Sequence, residues 1–313
     1  MRSSPREMAP NAVRRAIERG LPGRGPVEWQ SLDGGLRNSN FRVTAGGDRF
    51  VLRIYEHDRS LCRKEVDLSR MVRATVPVPE VVHAEPEGFE ELPPFAVMEF
   101  VEGITFLDLK RRGDRKAIAQ AAFSAGETLA AIGRYRFDKP GWVGPGPEAT
   151  WPIVEGGDPF PHFVDSCLES PILQRRMDAA LRERTHAAVW ERAADLAGLA
   201  RQTHLVHGDF SRRNLLVRRI GGQWRGAAVL DWEFAVSGTP LGDIGNFLRY
   251  EKESKPLAAP HFSAGYGPLP EGWRRLARVL DLVALCDTLA REEMPEDLAA
   301  EVVELVASST RLE

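Results

Sequence analysis

With 313 residues, 43% apolar and 28% charged, the chain can bury the core of one or two domains and is excluded from collagen-like, disordered and coiled-coil classes. Its net charge of −3 combines six lysines with thirty-six arginines and includes no basic block among aromatic residues, which excludes nucleic acid as a partner. No apolar run approaches the ~18 residues of a membrane span, the first 25 residues lack a leader's apolar stretch, and Cys62, Cys167 and Cys286 lie too far apart for a CxxC motif, so no membrane partner and a cytoplasmic location are expected.

Residues 9–20 have a helical look, with Pro10 near the start and Gly20 as the stop. Residues 27–32, 40–45 and 49–56 then read as strands separated by glycine turns, with alternation in Phe41 and Val43 and again in Val51, Arg53 and Tyr55. Leu61, Val66, Leu68, Met71 and Val72 recur at helical spacing, and 75–85 and 93–103 read as two further strands, giving the order β-β-β-α-β-β. After Gly103 the pattern turns helical over 104–113 and 114–134. A long Gly/Pro/Trp loop at 137–152 interrupts it, and helix returns over 160–200. Two short apolar strands then frame polar loops in HLVHGDFSRRNLLV and GAAVLDWEFA before a helical C-terminus.

Those two loops carry the sharpest chemical signal. Asp209 and, five residues on, Asn214 follow one strand, and Asp231 follows another, so a carboxylate, an amide oxygen and a second carboxylate should converge where the strands emerge. Asn214 and Asp231 suit Mg²⁺, a hard cation that takes oxygen ligands and keeps positions for phosphate and water. Asp209 can then accept the proton of an attacking hydroxyl. His57, His83, His162, His186, His204 and His261 show no metal-ligand spacing, which excludes a zinc site.

On HGDFSRRN, LDWEFA and MEFVEG, over nearly its whole length, the chain resembles the aminoglycoside phosphotransferase family, small-molecule kinases with a protein-kinase-like fold. The resemblance implies Asp209 as the base and Asn214 and Asp231 as metal ligands. It also implies a phosphate-covering loop in SLDGGLRNSN, where Gly34 and Gly35 let backbone N–H groups approach phosphate and Arg37, Asn38 and Ser39 add donors. Arg53 stands where kinases place a phosphate-binding lysine, with Glu65 as its partner; the plainer reading is an exposed strand arginine. Met98, Glu99 and Val101 correspond to the hinge that meets the adenine. Asp243 corresponds to an acid that holds the backbone of the catalytic loop, or caps its own helix, and His207 packs beneath that loop.

The expected fold class is α+β: a protein-kinase-like two-lobe fold, with an antiparallel five-stranded sheet and one main helix in an N-lobe over residues 1–103 and a mostly helical C-lobe over 104–313. The insert 135–200 would wall the acceptor site. The expected activity is ATP-dependent transfer of the γ-phosphoryl group to a hydroxyl of a small molecule, with Mg²⁺, and with GTP as the alternative nucleotide. Choline- or homoserine-kinase-like enzymes, a protein kinase and an inactive nucleotide-binding kinase-like module are the alternatives. Residues 281–313 hold nine acids and two arginines, a local charge of −7. They are either solvated helix faces or a patch drawing a cationic acceptor. Acceptor identity and oligomeric state are not legible from the sequence.

Overall fold

The computed structural model describes residues 8–32, 38–150, 152, 159–251, 256–292 and 294–311. Helix α1 (Pro10–Gly20) begins with proline at its first position, where a missing N–H costs no hydrogen bond, and buries Val13, Ala16 and Ile17 along one stripe. Strands β1 (Val27–Ser31), β2 (Ser39–Ala45) and β3 (Asp48–Ile54), helix α2 (Ser60–Val72) and strands β4 (Val81–Glu85) and β5 (Phe95–Glu99) follow. All four strand pairings are antiparallel, in the order β1-β2-β3-β5-β4.

The period of two along these strands divides their residues between two faces. Phe41, Val43, Phe50, Leu52 and Ile54 are buried with Val13 and Ile17 under α1. Ala96 and the adjoining Tyr55 pack with Cys62 and Val66 of α2 on the opposite face. The register sets Arg53 opposite Ala96 and Val51 opposite Met98, so Arg53, Val51 and Met98 share the α2 face. The sheet therefore carries a helix on each face, the main helix α2 on one and the helix expected at 9–20 on the other, because the apolar stripe of α1 finds its partner on the face that α2 leaves open.

The remainder comprises β6 (Ile104–Thr105), α3 (Phe106–Arg111), α4 (Arg115–Ile132), β7 (Gly141–Trp142), α5 (Pro159–Glu169), α6 (Pro171–Arg176), α7 (Ala179–Trp190), α8 (Ala193–Leu199), β8 (His204–Val206), β9 (Leu215–Ile220), β10 (Gln223–Val229), β11 (Val236–Gly238), α9 (Leu241–Leu248), α10 (Ala259–Tyr266), α11 (Trp273–Ala290) and α12 (Glu296–Ser309). Two small sheets are embedded among the helices, β10-β9-β6 and β7-β11-β8. Their shortest strands had no sequence signal: two residues cannot display a period, so 104–113 reads as all helix although Ile104 and Thr105 pair with Val217 and Leu216. A run of rings, Phe106, Phe247, Phe210 and Phe262, packs at centroid separations of 4.8–5.8 Å and forms part of the core under the loops between β8 and β11. Among the described residues no helix is long and apolar enough to cross a membrane.

Candidate active site

The loops 207–214 and 230–235 lie side by side because the strands at both of their ends pair: Val206 opposes Val236, and Leu215 opposes Val229. The Leu230 N–H donates to the Asn214 carbonyl at 2.8 Å, and His207 Nε2 lies 3.0 Å from the Leu230 carbonyl. His207 Nδ1 accepts the Asp209 N–H at 3.2 Å. With one ring nitrogen donating and the other accepting, the imidazole is neutral, and burial pushes its pKa down to about 4. Gly208 has φ +82°, and a Cβ there would fall 2.0 Å from the Phe234 carbonyl oxygen, so this position of the HGD sequence takes only glycine. Asp231 itself sits at φ +68°, a left-handed conformation that costs a non-glycine residue energy and is typically kept where position matters.

Both carboxylate oxygens of Asp209 are held. Asn214 Nδ2 donates to Oδ2 at 2.7 Å and Asn246 Nδ2 to Oδ1 at 3.1 Å. Burial raises the Asp209 pKa to about 6, against the Asn246 hydrogen bond and with help from the charge of Asp231, which makes it a stronger base than an ordinary aspartate. Asn246 did not emerge from the sequence, although it lies three residues beyond Asp243 on one helix face. That face also brings Asp243, whose carboxylate accepts the N–H groups of His207 and Gly208 at 2.7 and 3.0 Å, and Phe247, whose carbonyl accepts Arg212 Nε at 3.0 Å. Asp243 stands at the third position of α9 rather than at its cap, which is Pro240.

From the sheet, Arg53 Nη2 reaches both Glu65 Oε1 at 3.1 Å and Asp231 Oδ1 at 2.8 Å. Its side chain is only 12% exposed, which rejects the reading of an exposed strand arginine. Burial works against its charge, yet Glu65, Tyr55 and Asp231 outweigh that and hold its pKa above the ordinary arginine range. The Tyr55 hydroxyl donates to Glu65 Oε2 at 2.8 Å and fixes the other oxygen of that carboxylate. The next residue back on α2, Lys64, lies buried with its ammonium on the carbonyls of Glu233 at 2.6 Å and Ala235 at 3.1 Å.

The structure thus gathers Arg53, Glu65, Asp209, Asn214 and Asp231. Met98 lies on the same sheet face as Arg53, while the Glu99 N–H donates to the Glu80 carbonyl at 2.8 Å and Val101 follows β5 in the connection to β6. Ser39 turns its hydroxyl to Glu56 at 2.7 Å, and Asn38 is buried at the start of β2. Gly34, Gly35 and Arg37 lie outside the described residues. For a metal, Asp231 offers a carboxylate and Asn214, whose amide nitrogen is turned to Asp209, has its carbonyl oxygen as the remaining donor. Among the described residues no three His, Cys, Asp or Glu side chains gather as a cage. That donor set fits Mg²⁺, which completes its octahedron with water and nucleotide phosphates and needs only one or two protein carboxylates.

Among the described residues of 281–313 the acids are of two kinds. Asp281 is buried and pairs with Arg249 Nη2 at 2.7 Å, and Asp287 pairs with Arg291. Glu292, Glu296, Asp297, Glu301 and Glu304 are exposed.

A five-stranded antiparallel sheet, an arginine–glutamate pair joining it to a helix, and two acidic loops in a helical part together define a kinase-like phosphotransferase architecture. The chain belongs to the phosphotransferase enzyme family APH, whose family model matches residues 28–279. Comparison with curated proteins finds no match. Among solved structures it is similar to a thermostable mutant of aminoglycoside phosphotransferase APH(4)-Ia in ternary complex with ADP and hygromycin B, at 21% identity and TM-score 0.72, covering 95% of this chain and 97% of that one. It is also similar to aminoglycoside phosphotransferase APH(4)-Ia itself, at 20% identity and TM-score 0.71, over 97% and 99% of the two chains. The wild-type aminoglycoside 2'-phosphotransferase-IIIa in complex with GDP is similar at 18% identity and TM-score 0.69, over 95% and 97%. At these identities the likeness shows the fold.

Proposed function

We propose that the chain transfers the γ-phosphoryl group of ATP, with GTP as the alternative donor, to a hydroxyl of a small-molecule acceptor. The observation that carries this reading is the convergence of Arg53, Glu65 and Asp231 at one point, beside Asp209 held through both oxygens by Asn214 and Asn246. Asp209, buried and with a raised pKa, takes the proton of the acceptor hydroxyl as the oxygen attacks the γ-phosphorus; its two amide partners fix the carboxylate so that little reorganisation remains. Arg53 grips the α- and β-phosphates, and Glu65 orients it from α2. Asp231 and Asn214 are the residues that would hold Mg²⁺, which when bound neutralises phosphate charge. The nucleotide base would lie against the end of β5, at Met98, Glu99 and Val101, with Asn38 and Ser39 toward the phosphates. The division into an N-lobe over 1–103 and a C-lobe over 104–313, with the acceptor walled by 135–200, belongs to the same proposal.

Solved structures of similar fold contain ADP with hygromycin B or GDP, which supports a nucleotide donor and a polar small molecule as acceptor. The test is coupled nucleotide turnover against a panel of aminoglycosides, macrolides, choline, homoserine and sugars, repeated with Asp209→Asn. The amide keeps the shape but cannot take a proton, so turnover is expected to fall by about 10³-fold with nucleotide affinity unchanged. Equal turnover by variant and parent on any accepted substrate sinks the base assignment.

A further inference from the structure

Glu65 is the residue of α2 that the site uses, yet its neighbour is buried just as deeply and faces elsewhere. Successive residues on a helix point about 100° apart, so while Glu65 meets Tyr55 and Arg53 on the sheet, Lys64 is directed to the loop that follows Asp231. Its residue exposure is 6%. An ammonium at that depth is costly unless its donors are used, and two of them are: Nζ donates to the carbonyl of Glu233 at 2.6 Å and to that of Ala235 at 3.1 Å. Burial still pulls its pKa down to about 8, partly offset by Glu65, Glu233 and Asp58.

Those two carbonyls lie two and four residues after Asp231. On the other side of Asp231, the catalytic loop holds Leu230 through its N–H to Asn214 and its carbonyl to His207. The backbone around this left-handed aspartate is therefore gripped before it by the helical part and after it by α2 of the sheet part. One helical turn along, Asp67 on α2 accepts the Gly146 N–H at 3.1 Å, and the Val143 N–H of the same segment reaches the Ala235 carbonyl at 3.3 Å. Taken in series through residues 143–146, these two bonds join α2 to the stretch entering β11.

We infer that Lys64 is a positioning residue that straps α2 to the metal loop, so that Glu65 and Arg53 on one side and Asp231 on the other are held at a fixed separation. The inference rests on the proposed reading of Asp231 as a metal ligand. Lys64 touches no reacting atom and acts through the backbone of Glu233 and Ala235. A lysine suits this task because its stem fills apolar space while one small cation serves two carbonyls.

The experiment compares the parent with Lys64→Met, which keeps the length and loses both donors, and with Lys64→Arg, which keeps a buried cation and its donors. Binding of ATP is measured calorimetrically with and without Mg²⁺. Metal-free affinity is expected to match the parent in both variants, while the gain in affinity conferred by Mg²⁺ falls about tenfold or more in Lys64→Met and is largely regained in Lys64→Arg, the size seen when partners behind metal ligands are removed. Hydrogen exchange in the absence of nucleotide gives an independent readout: amides of 231–236 are expected to exchange faster in Lys64→Met, with those of 207–214 unchanged. Should Lys64→Met not fold, Lys64→Gln carries both measurements, since its stem is too short to bond two carbonyls. A full Mg²⁺ gain with parent-like exchange in the variant overturns the strap, as does an equal loss of metal-free and metal-dependent binding. A parent that shows no Mg²⁺ gain, with exchange still accelerated in the variant, sinks the metal reading and leaves the strap standing.

Discussion

His207 shows how a single buried group can be read from its hydrogen bonds. Its ring donates to Leu230 and accepts from Asp209, a pattern open only to the neutral form, and its folded pKa of about 4 lies below the unfolded 6.5. Above pH 6.5 neither state takes the proton. As pH falls toward 4 only the unfolded chain gains it, so the contribution of this residue is lost over that window, by about 3 kcal/mol at ~1.4 kcal/mol per pH unit. Urea unfolding of the parent and of His207→Gln from pH 7 to pH 4 is expected to show the parent losing that amount relative to the variant; parallel profiles refute it. Arg53 is a second case. One nitrogen touches both Glu65 and Asp231, so a lysine ammonium can serve part of the role: Arg53→Lys is expected to keep nucleotide affinity within about tenfold of the parent. Arg53→Ala leaves the Glu65 carboxylate buried without its cation, and is expected to lose stability as well as nucleotide binding. Parent-like calorimetric titrations for both variants would remove Arg53 from the phosphate site and Glu65 with it.

Helix α9 is the element on which the site rests. Its residues 243, 246 and 247 share one face and reach the His207–Gly208 backbone, the Asp209 carboxylate and Arg212. The opposite side is braced on α11: Gly245 is so close that a Cβ would fall 2.1 Å from the Ala277 carbonyl, and beyond the helix end Arg249 forms three hydrogen bonds to the buried Asp281 carboxylate. Removing one partner of such a pair strands the other charge, so Asp281→Asn is expected to cost about 3 kcal/mol in urea unfolding. Turnover should fall only as far as α9 shifts. A loss below about 1 kcal/mol would mean that Arg249 finds water instead and that α9 is held by packing alone.

At the scale of the whole molecule, surface charge supplies a handle on the acceptor. With Asp281 paired in the core and Asp287 bound to Arg291, the exposed acids Glu292, Glu296, Asp297, Glu301 and Glu304 are what a solute would meet. If they face a cationic acceptor, its apparent KM is expected to rise severalfold between low and high salt, as screening shortens the reach of the field to about 10 Å at 0.1 M. Reversal of Glu292, Glu296 and Asp297 to lysine is expected to reproduce the high-salt value. A KM insensitive to both means that α12 presents an ordinary solvated face and that the acceptor is recognised without it.

How much of this was legible in the sequence depended on range. Local signals determined the order of the main strands and helices: period two in 40–45 and 49–55, period 3.6 in 60–72, and proline and glycine at the ends of α1. The spacing of HGDFSRRN and LDWEFA likewise put Asp209, Asn214 and Asp231 at strand ends, because a motif is local and its residues need only its own strands. The two-residue strands β6 and β7, the three-residue β11, and the covering of the sheet by α1 on the side away from α2 were decided only by the tertiary structure, since each exists through a distant partner and two or three residues carry no period. The same holds for Asn246 on Asp209, for Lys64 on the loop after Asp231 and for Asp281 inside an acidic tail. A polar side chain in sequence says what it can bond, and only the packing of elements far apart in the chain decides whether water or a buried carboxylate, carbonyl or guanidinium answers it.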